Sequence, residues 1–131
     1  MVLHYNTQTT LREIGRQFTA CFSHLRLQFR PGPGLKKPLL PWTGISIQSM
    51  RLKDLMQRKA SGKLVLDSSM SVAAVQQRLQ REFGVRVQIL RRAGDLWIEI
   101  HQTQNLSLAQ QNALGKTVQA PARFNVHTLF L

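Results

Sequence analysis

The chain has 131 residues, 43% of them apolar, and 18 Lys and Arg stand against 6 Asp and Glu for a net charge of +12. That length allows one domain with one core, the apolar fraction is ordinary for a globular chain so that disorder is not the default, and the basic surplus points to polyanionic partners. A single cysteine, Cys21, excludes an intramolecular disulfide and a cysteine-based zinc cluster, and no apolar run approaches the roughly 20 residues of a membrane-spanning helix.

Residues 1–9 carry no periodic pattern and read as a lead-in without the charged-then-apolar order of a leader, so a cytoplasmic location is expected. The first predicted helix opens at Thr10, which with Glu13 forms a capping box, each side chain accepting from a backbone N–H of the first turn. Leu11, Ile14, Phe18, Cys21 and Phe22 recur at helical spacing as its buried stripe, Cys21 as a small buried hydrophobe. A strand follows over 25–30, with Leu25, Leu27 and Phe29 inward and Arg26, Gln28 and Arg30 outward. Pro31-Gly32-Pro33-Gly34 stops it, and lacks the Gly-Lys-Ser/Thr ending of a phosphate loop.

Residues 31–61 read as a basic insertion, with a short extended piece at 45–47 and one to three turns of helix over 50–59 that group Leu52, Leu55 and Met56. A second strand is predicted at 63–67, with Leu64 and Leu66 inward. Ser71 caps the second helix and Gly84 supplies its left-handed C-terminal residue. A third strand covers 85–89, residues 91–95 make a hairpin loop, and 96–100 form a fourth strand. Ser107 and Gln110 open a short helix that Gly115 ends, leaving 116–131 as a tail, either a docked strand or loose.

The helix and strand of 71–91 repeat those of 10–30. Leu11 and Val72, Ile14 and Val75, Phe18 and Leu79, and Phe22 and Phe83 fall in step, and Leu25-Arg26-Leu27-Gln28 answers Val85-Arg86-Val87-Gln88. Two units of helix, strand, strand in one domain over 1–131 predict an α+β fold, a permuted ferredoxin-like sandwich with four antiparallel strands and both helices on one face; a β-grasp variant is the alternative. Strand periodicity then gives the open face: Arg26, Gln28, Arg30, Lys63, Val65, Asp67, Arg86, Gln88, Leu90, Trp97, Glu99 and His101.

Residues 10–30 and 62–115 resemble a family of small uncharacterised bacterial proteins of the Bacteroidota type. The resemblance rests on a hairpin (Val87-Gln88-Ile89, Arg91 or Arg92, Gly94, Trp97, Glu99) and a closing helix (Leu108, Gln111, Asn112, Gly115). It implies a stand-alone cytoplasmic domain without an assigned activity; this chain departs from it in its basicity and its tail.

An enzyme is not expected, because the six acids lie on different elements and the four histidines, His4, His24, His101 and His127, show no metal-ligand spacing. No cofactor is expected either. Glu99 beside His101 reads as a surface pair at a strand end. The expected activity is nucleic-acid binding through Arg26, Arg30 and Arg86 on the sheet, Arg91 and Arg92 at its rim, Lys36, Lys37, Arg51, Lys53, Arg58 and Lys59 in the insertion, and Trp97 as a stacking surface. Single-strand binders present two or three aromatics, and one favours burial of Trp97 under the insertion or in a homodimer. The alternative function is therefore protein–protein interaction or homodimerisation at the open face and tail.

Overall fold

The computed structural model describes residues 1–32, 46–55 and 62–117. Along the chain lie β1 (Val2–Tyr5), α1 (Leu11–Cys21), β2 (Leu25–Arg30), a 3-10 turn (Ile47–Ser49), α2 (Leu52–Leu55), β3 (Gly62–Val65), α3 (Val72–Phe83), β4 (Arg86–Ala93), β5 (Leu96–Glu99) and α4 (Leu108–Thr117). The fold is α+β. Its described strands divide into two antiparallel sheets, β1 with β3 and β2-β4-β5, where one four-stranded sheet was expected. The reason lies in residues 1–9, read as a lead-in: Val2–Tyr5 is a strand, and it takes β3 as partner, so Lys63, Val65 and Asp67 do not share a face with Arg26 and Arg86.

Local chemistry sets the helix limits. Thr10 and Glu13 form the capping box of α1, and Ser71 accepts from the Ala74 N–H at the start of α3. Gly84, at φ 72°, closes α3 in the left-handed conformation that glycine adopts without steric cost. Leu11, Ile14, Phe18 and Phe22 of the first unit and Val72, Val75, Leu79 and Phe83 of the second meet in one core with the inward residues of the strands. Cys21 is exposed instead, because a stripe through 14, 18 and 22 leaves position 21 on its solvent-facing shoulder. The hairpin expected at 91–95 tightens to Gly94-Asp95 between the paired Ala93 and Leu96, with positive φ at Gly94 alone, the type II′ pattern. Strand β4 therefore runs through Arg91 and Arg92. Helix α4 runs past Gly115 to Thr117.

The repeat is larger than the helix and strand that announced it. Leu3 pairs with Leu64 and Gln28 with Gln88, so in both sheets equivalent residues face each other, as a pseudo-two-fold axis requires. Turn and bridge contacts follow the same rule. The Thr9 N–H donates to Asn6 and the Met70 N–H to Asp67; Leu11 donates to Met50 and Val72 to Leu106; Leu52 donates to Thr9 and Leu108 to Met70. Isolated bridges Thr10 to Arg51 and Ser71 to Ser107 match as well. Residues 46–55 are thus the first copy of the segment that opens α4, not an insertion, and Ile47, Leu52 and Leu55 are buried in the core. Ile47, expected to be extended, opens the 3-10 turn; the rest of the helix expected over 50–59, with Met56, lies outside the described residues.

Candidate functional site

Two chemically distinct places hold six of the twelve predicted site residues. One is internal. Arg91, expected at a basic rim, lies on the inward side of β4 with Val87, Ile89 and Ala93 and is 5% exposed. Its Nη1 donates to Gln111 Oε1 at 2.8 Å, and the fully buried Gln111 amide donates in turn to the Thr103 carbonyl and hydroxyl at 2.6 and 2.9 Å. Burial lowers the Arg91 pKa, and a guanidinium remains charged at neutral pH even so. Next to it the Asn112 side-chain Oδ1 accepts from the His24 backbone N–H at 2.9 Å, and a Cβ on Gly115 would stand 2.7 Å from that of His24. Leu108, Gln111, Asn112 and Gly115, the closing-helix motif of the sequence, therefore dock α4 onto β4 and the turn before β2. Their role is structural.

The other place is external. Arg26, Gln28 and Arg30 of β2, Arg86, Gln88, Leu90 and Arg92 of β4, and Trp97 and Glu99 of β5 share one face by register, as the strand periodicity predicted for these three strands. Arg30 faces Arg86 across the strands, a pairing of like charges, and its guanidinium reaches Glu99 at 3.2 Å and Gln28 at 3.1 Å. His101 Nε2 lies 3.1 Å from the other Glu99 oxygen, so the expected surface pair is part of an exposed Arg30, Glu99, His101 cluster. Arg51 is exposed and donates to Gln8, and Lys53 is exposed on α2; neither joins this face. Lys36, Lys37, Arg58 and Lys59 lie outside the described residues.

Beside this face, between α1 and the edge of β2 away from β4, opens a cleft of about 620 Å³. Its origin is visible in the repeat. In the second half, Gln76 and Gln80 of α3 reach across to β4 and accept from the N–H groups of Ile89 and Val87 at 2.8 and 3.0 Å, replacing a neighbouring strand. The equivalent residues of α1 are Gly15 and Thr19. Gly15 has no side chain, and the Thr19 hydroxyl donates to the Leu25 carbonyl instead. The backbone of Leu27 and the Phe29 N–H, equivalents of the clipped positions, face outward from the β2–β4 ladder without a partner among the described residues.

Four of the cleft-lining side chains are Arg12, Arg16, Arg26 and Trp97, and none is a carboxylate. The three arginines are exposed and make no ion pair or hydrogen bond with the described residues. Trp97 is half-buried. Arg12 and Arg16 were not singled out in the sequence, although their spacing of one helical turn on the polar side of α1 was the available signal. Among the described residues no three His, Cys, Asp or Glu side chains gather in metal-binding proximity. No helix there is long and apolar enough to cross a membrane.

No family model, curated protein or solved structure matches this chain. Its site is read from its own geometry.

Proposed function

We propose that this protein is a binding domain for nucleic acid, without catalysis of its own, holding its ligand mainly through phosphates. The observation that carries this reading is the cleft: Arg12, Arg16 and Arg26 converge where the first repeat lacks the glutamines that close the second, and no lining carboxylate compensates them. Exposed cations without a partner among the described residues suit phosphate contacts, and the adjoining Arg30, Arg86 and Arg92 extend the basic surface across the sheet. The net charge of +12 adds long-range attraction.

Salt titration of binding to random-sequence DNA and RNA tests it. The logarithm of affinity should fall linearly with the logarithm of salt, and Arg12→Gln with Arg16→Gln and Arg26→Gln together should flatten the slope by about 2–3, close to one per phosphate contact. Absent binding at low salt, or a slope untouched by the triple variant, would remove the proposal.

The reading as a homodimer or protein-binding module draws on one observation, the Leu27 backbone left unpaired among the described residues, since an unpaired strand edge is a template for another strand. Concentration-dependent dimerisation in sedimentation, unaffected by added oligonucleotide, would favour it.

A further inference from the structure

We infer that the cleft takes a single unpaired strand in preference to a duplex, with one base stacked on Trp97 and the adjoining phosphates over Arg12 and Arg16. This deepens the nucleic-acid reading and rests on it. Three features of the cleft carry it.

The first is shape. The opening lies between a helix and a strand edge, its volume of about 620 Å³ is that of a small-molecule site, and it is walled by Gly15, Thr19 and Phe29. A duplex keeps its bases stacked inside and offers only phosphates and groove edges, so it can lie across the arginines but cannot place a base between α1 and β2. An unpaired strand can.

The second is the aromatic. Trp97 stands on β5 opposite Arg92 and shares the cleft with Arg26, whose partner across the strands is Leu90. An indole half-exposed at a basic cleft offers a π-face to any base, and stacking of this kind is tolerant of sequence. Burial under the insertion or in a homodimer was the favoured expectation for this residue, and within the single chain Trp97 is half-buried.

The third is the strand edge. Leu27 brings one backbone donor and one backbone acceptor to the cleft, unmatched among the described residues, and Ser46 and Gln48 line the same space with a hydroxyl and an amide. The Gln48 amide already leans toward this edge, 3.4 Å from the Phe29 carbonyl. Base edges present the complementary donors and acceptors when they are not engaged in pairing. An extended peptide would satisfy the strand edge equally well, but three uncompensated arginines select a polyanion, and an acidic peptide competitor separates the two.

The experiment uses the full chain and fluorescence anisotropy with four probes of equal length: random-sequence single strands of RNA and DNA, a blunt DNA duplex, and a strand of abasic sites. Single strands should bind at least tenfold tighter than the duplex at one salt concentration. Trp97→Ala should lose about tenfold on the base-bearing strands and nothing on the abasic strand, while Trp97→Phe should stay within about threefold of wild type. In a Trp42→Phe background, where Trp97 is the remaining tryptophan, its emission should be quenched by the base-bearing strands alone. Should Trp97→Ala unfold the hairpin, the wild-type preference for base-bearing over abasic strands, expected at about tenfold, and the quenching, both made with Trp97 in place, still decide. Equal or tighter binding of the duplex, or no quenching alongside salt-dependent binding, overturns the single-strand inference and leaves phosphate binding standing. Salt-dependent binding of none of the four probes overturns the underlying function, and capture of the acidic peptide in their place assigns the cleft to protein.

Discussion

The two halves of this chain solve the same packing problem and leave it in different states. Each lays a helix beside a strand whose outer edge has no neighbouring strand at that level among the described residues. In the second half Gln76 and Gln80 supply the missing acceptors, so β4 is finished by its own helix. In the first half Gly15 and Thr19 stand at those positions, and the Leu27 backbone and Phe29 N–H of the β2 edge have no partner among the described residues, beneath a cluster of arginines. A related device closes β1, where the Gln17 amide accepts from the His4 N–H at 2.8 Å and donates to its carbonyl at 2.7 Å. Glutamine amides thus serve repeatedly as surrogate peptide groups, and α1 supplies none of them to the edge of β2, where the Gln48 amide alone among the described residues reaches the Phe29 carbonyl. A duplicated unit lets stability reside in one copy while the other is opened for binding.

The largest effect should come from opening the closed copy. Gln76→Ala with Gln80→Ala strands two partly buried N–H groups, each costing about 1–3 kcal/mol, so the urea midpoint should fall by several kcal/mol equivalents with the slope unchanged. Thr19→Ala in the first copy removes a single hydroxyl bond and should cost about 1 kcal/mol. Equal losses in the two halves would erase the distinction drawn between them.

Next in size is the device that ties the halves together. Helix α4 belongs to the second copy, yet Asn112 and Gly115 grip His24 in the first. Gly115→Ala places a methyl 2.7 Å from the His24 Cβ and 3.0 Å from its carbonyl oxygen. Overpacking of that kind costs about 1–3 kcal/mol, against roughly 1 kcal/mol gained from replacing a helical glycine. A net loss in thermal midpoint is expected, and His24→Gly in the same chain should recover part of it.

The reverse transplant is smaller in stability and sharper in function. Gly15→Gln puts the residue of the closed copy into the open one; helix propensity alone should add about 0.5–1 kcal/mol, and a side chain spanning to the Phe29 N–H would fill the cleft. Stability should rise slightly while oligonucleotide affinity falls about tenfold. Undiminished affinity in a stable Gly15→Gln protein would move the binding surface away from the cleft.

Much of this was legible in the sequence, and the gaps have physical reasons. Capping boxes, helix stripes and the alternation in β2 and β4 follow from local rules, so the helix limits, the core and the outward register of Arg26, Gln28, Arg86 and Gln88 could be written down in advance. Strand β1 could not, because Val2–Tyr5 carries only four residues and its one fully buried side chain is Leu3. Residues 46–55 hid their kinship with the α4 segment because it is carried by backbone bonds, such as those to Met50 and Leu106, that leave little mark on side-chain choice. Arg91 was misplaced because Arg91-Arg92-Ala93-Gly94-Asp95, polar and carrying a glycine, reads as a loop, whereas period two from Val87 and Ile89 already pointed it inward. The cleft needed tertiary structure: Arg12 and Arg16 come from a helix, Arg26 from a strand and Trp97 from a hairpin.

The finest contrast between the halves is a turn that occurs in both and titrates in one. After β1, Asn6 Oδ1 accepts from the Gln8 N–H at 2.8 Å; after β3, Asp67 Oδ1 accepts from the Ser69 N–H at 2.9 Å and from the Ser69 hydroxyl at 2.9 Å. The Ser69 backbone bond, followed by the hydroxyl bond, holds the Asp67 carboxyl below its ordinary value, because both stabilise the charged form. A carboxyl whose folded-state pKa is depressed binds fewer protons folded than unfolded. Its contribution is complete above the unfolded value, roughly pH 4, and disappears as the pH falls through the lower folded value. Asp67→Asn gives the second turn the amide of the first, which accepts the same bonds without a charge to lose. Wild type should therefore lose urea resistance relative to Asp67→Asn between about pH 5 and pH 3, by a small amount since the group is fully exposed, and the two proteins should run parallel from pH 5 to pH 8. Parallel curves through the acid range as well would mean that the two turns, charged and neutral, hold their strands alike.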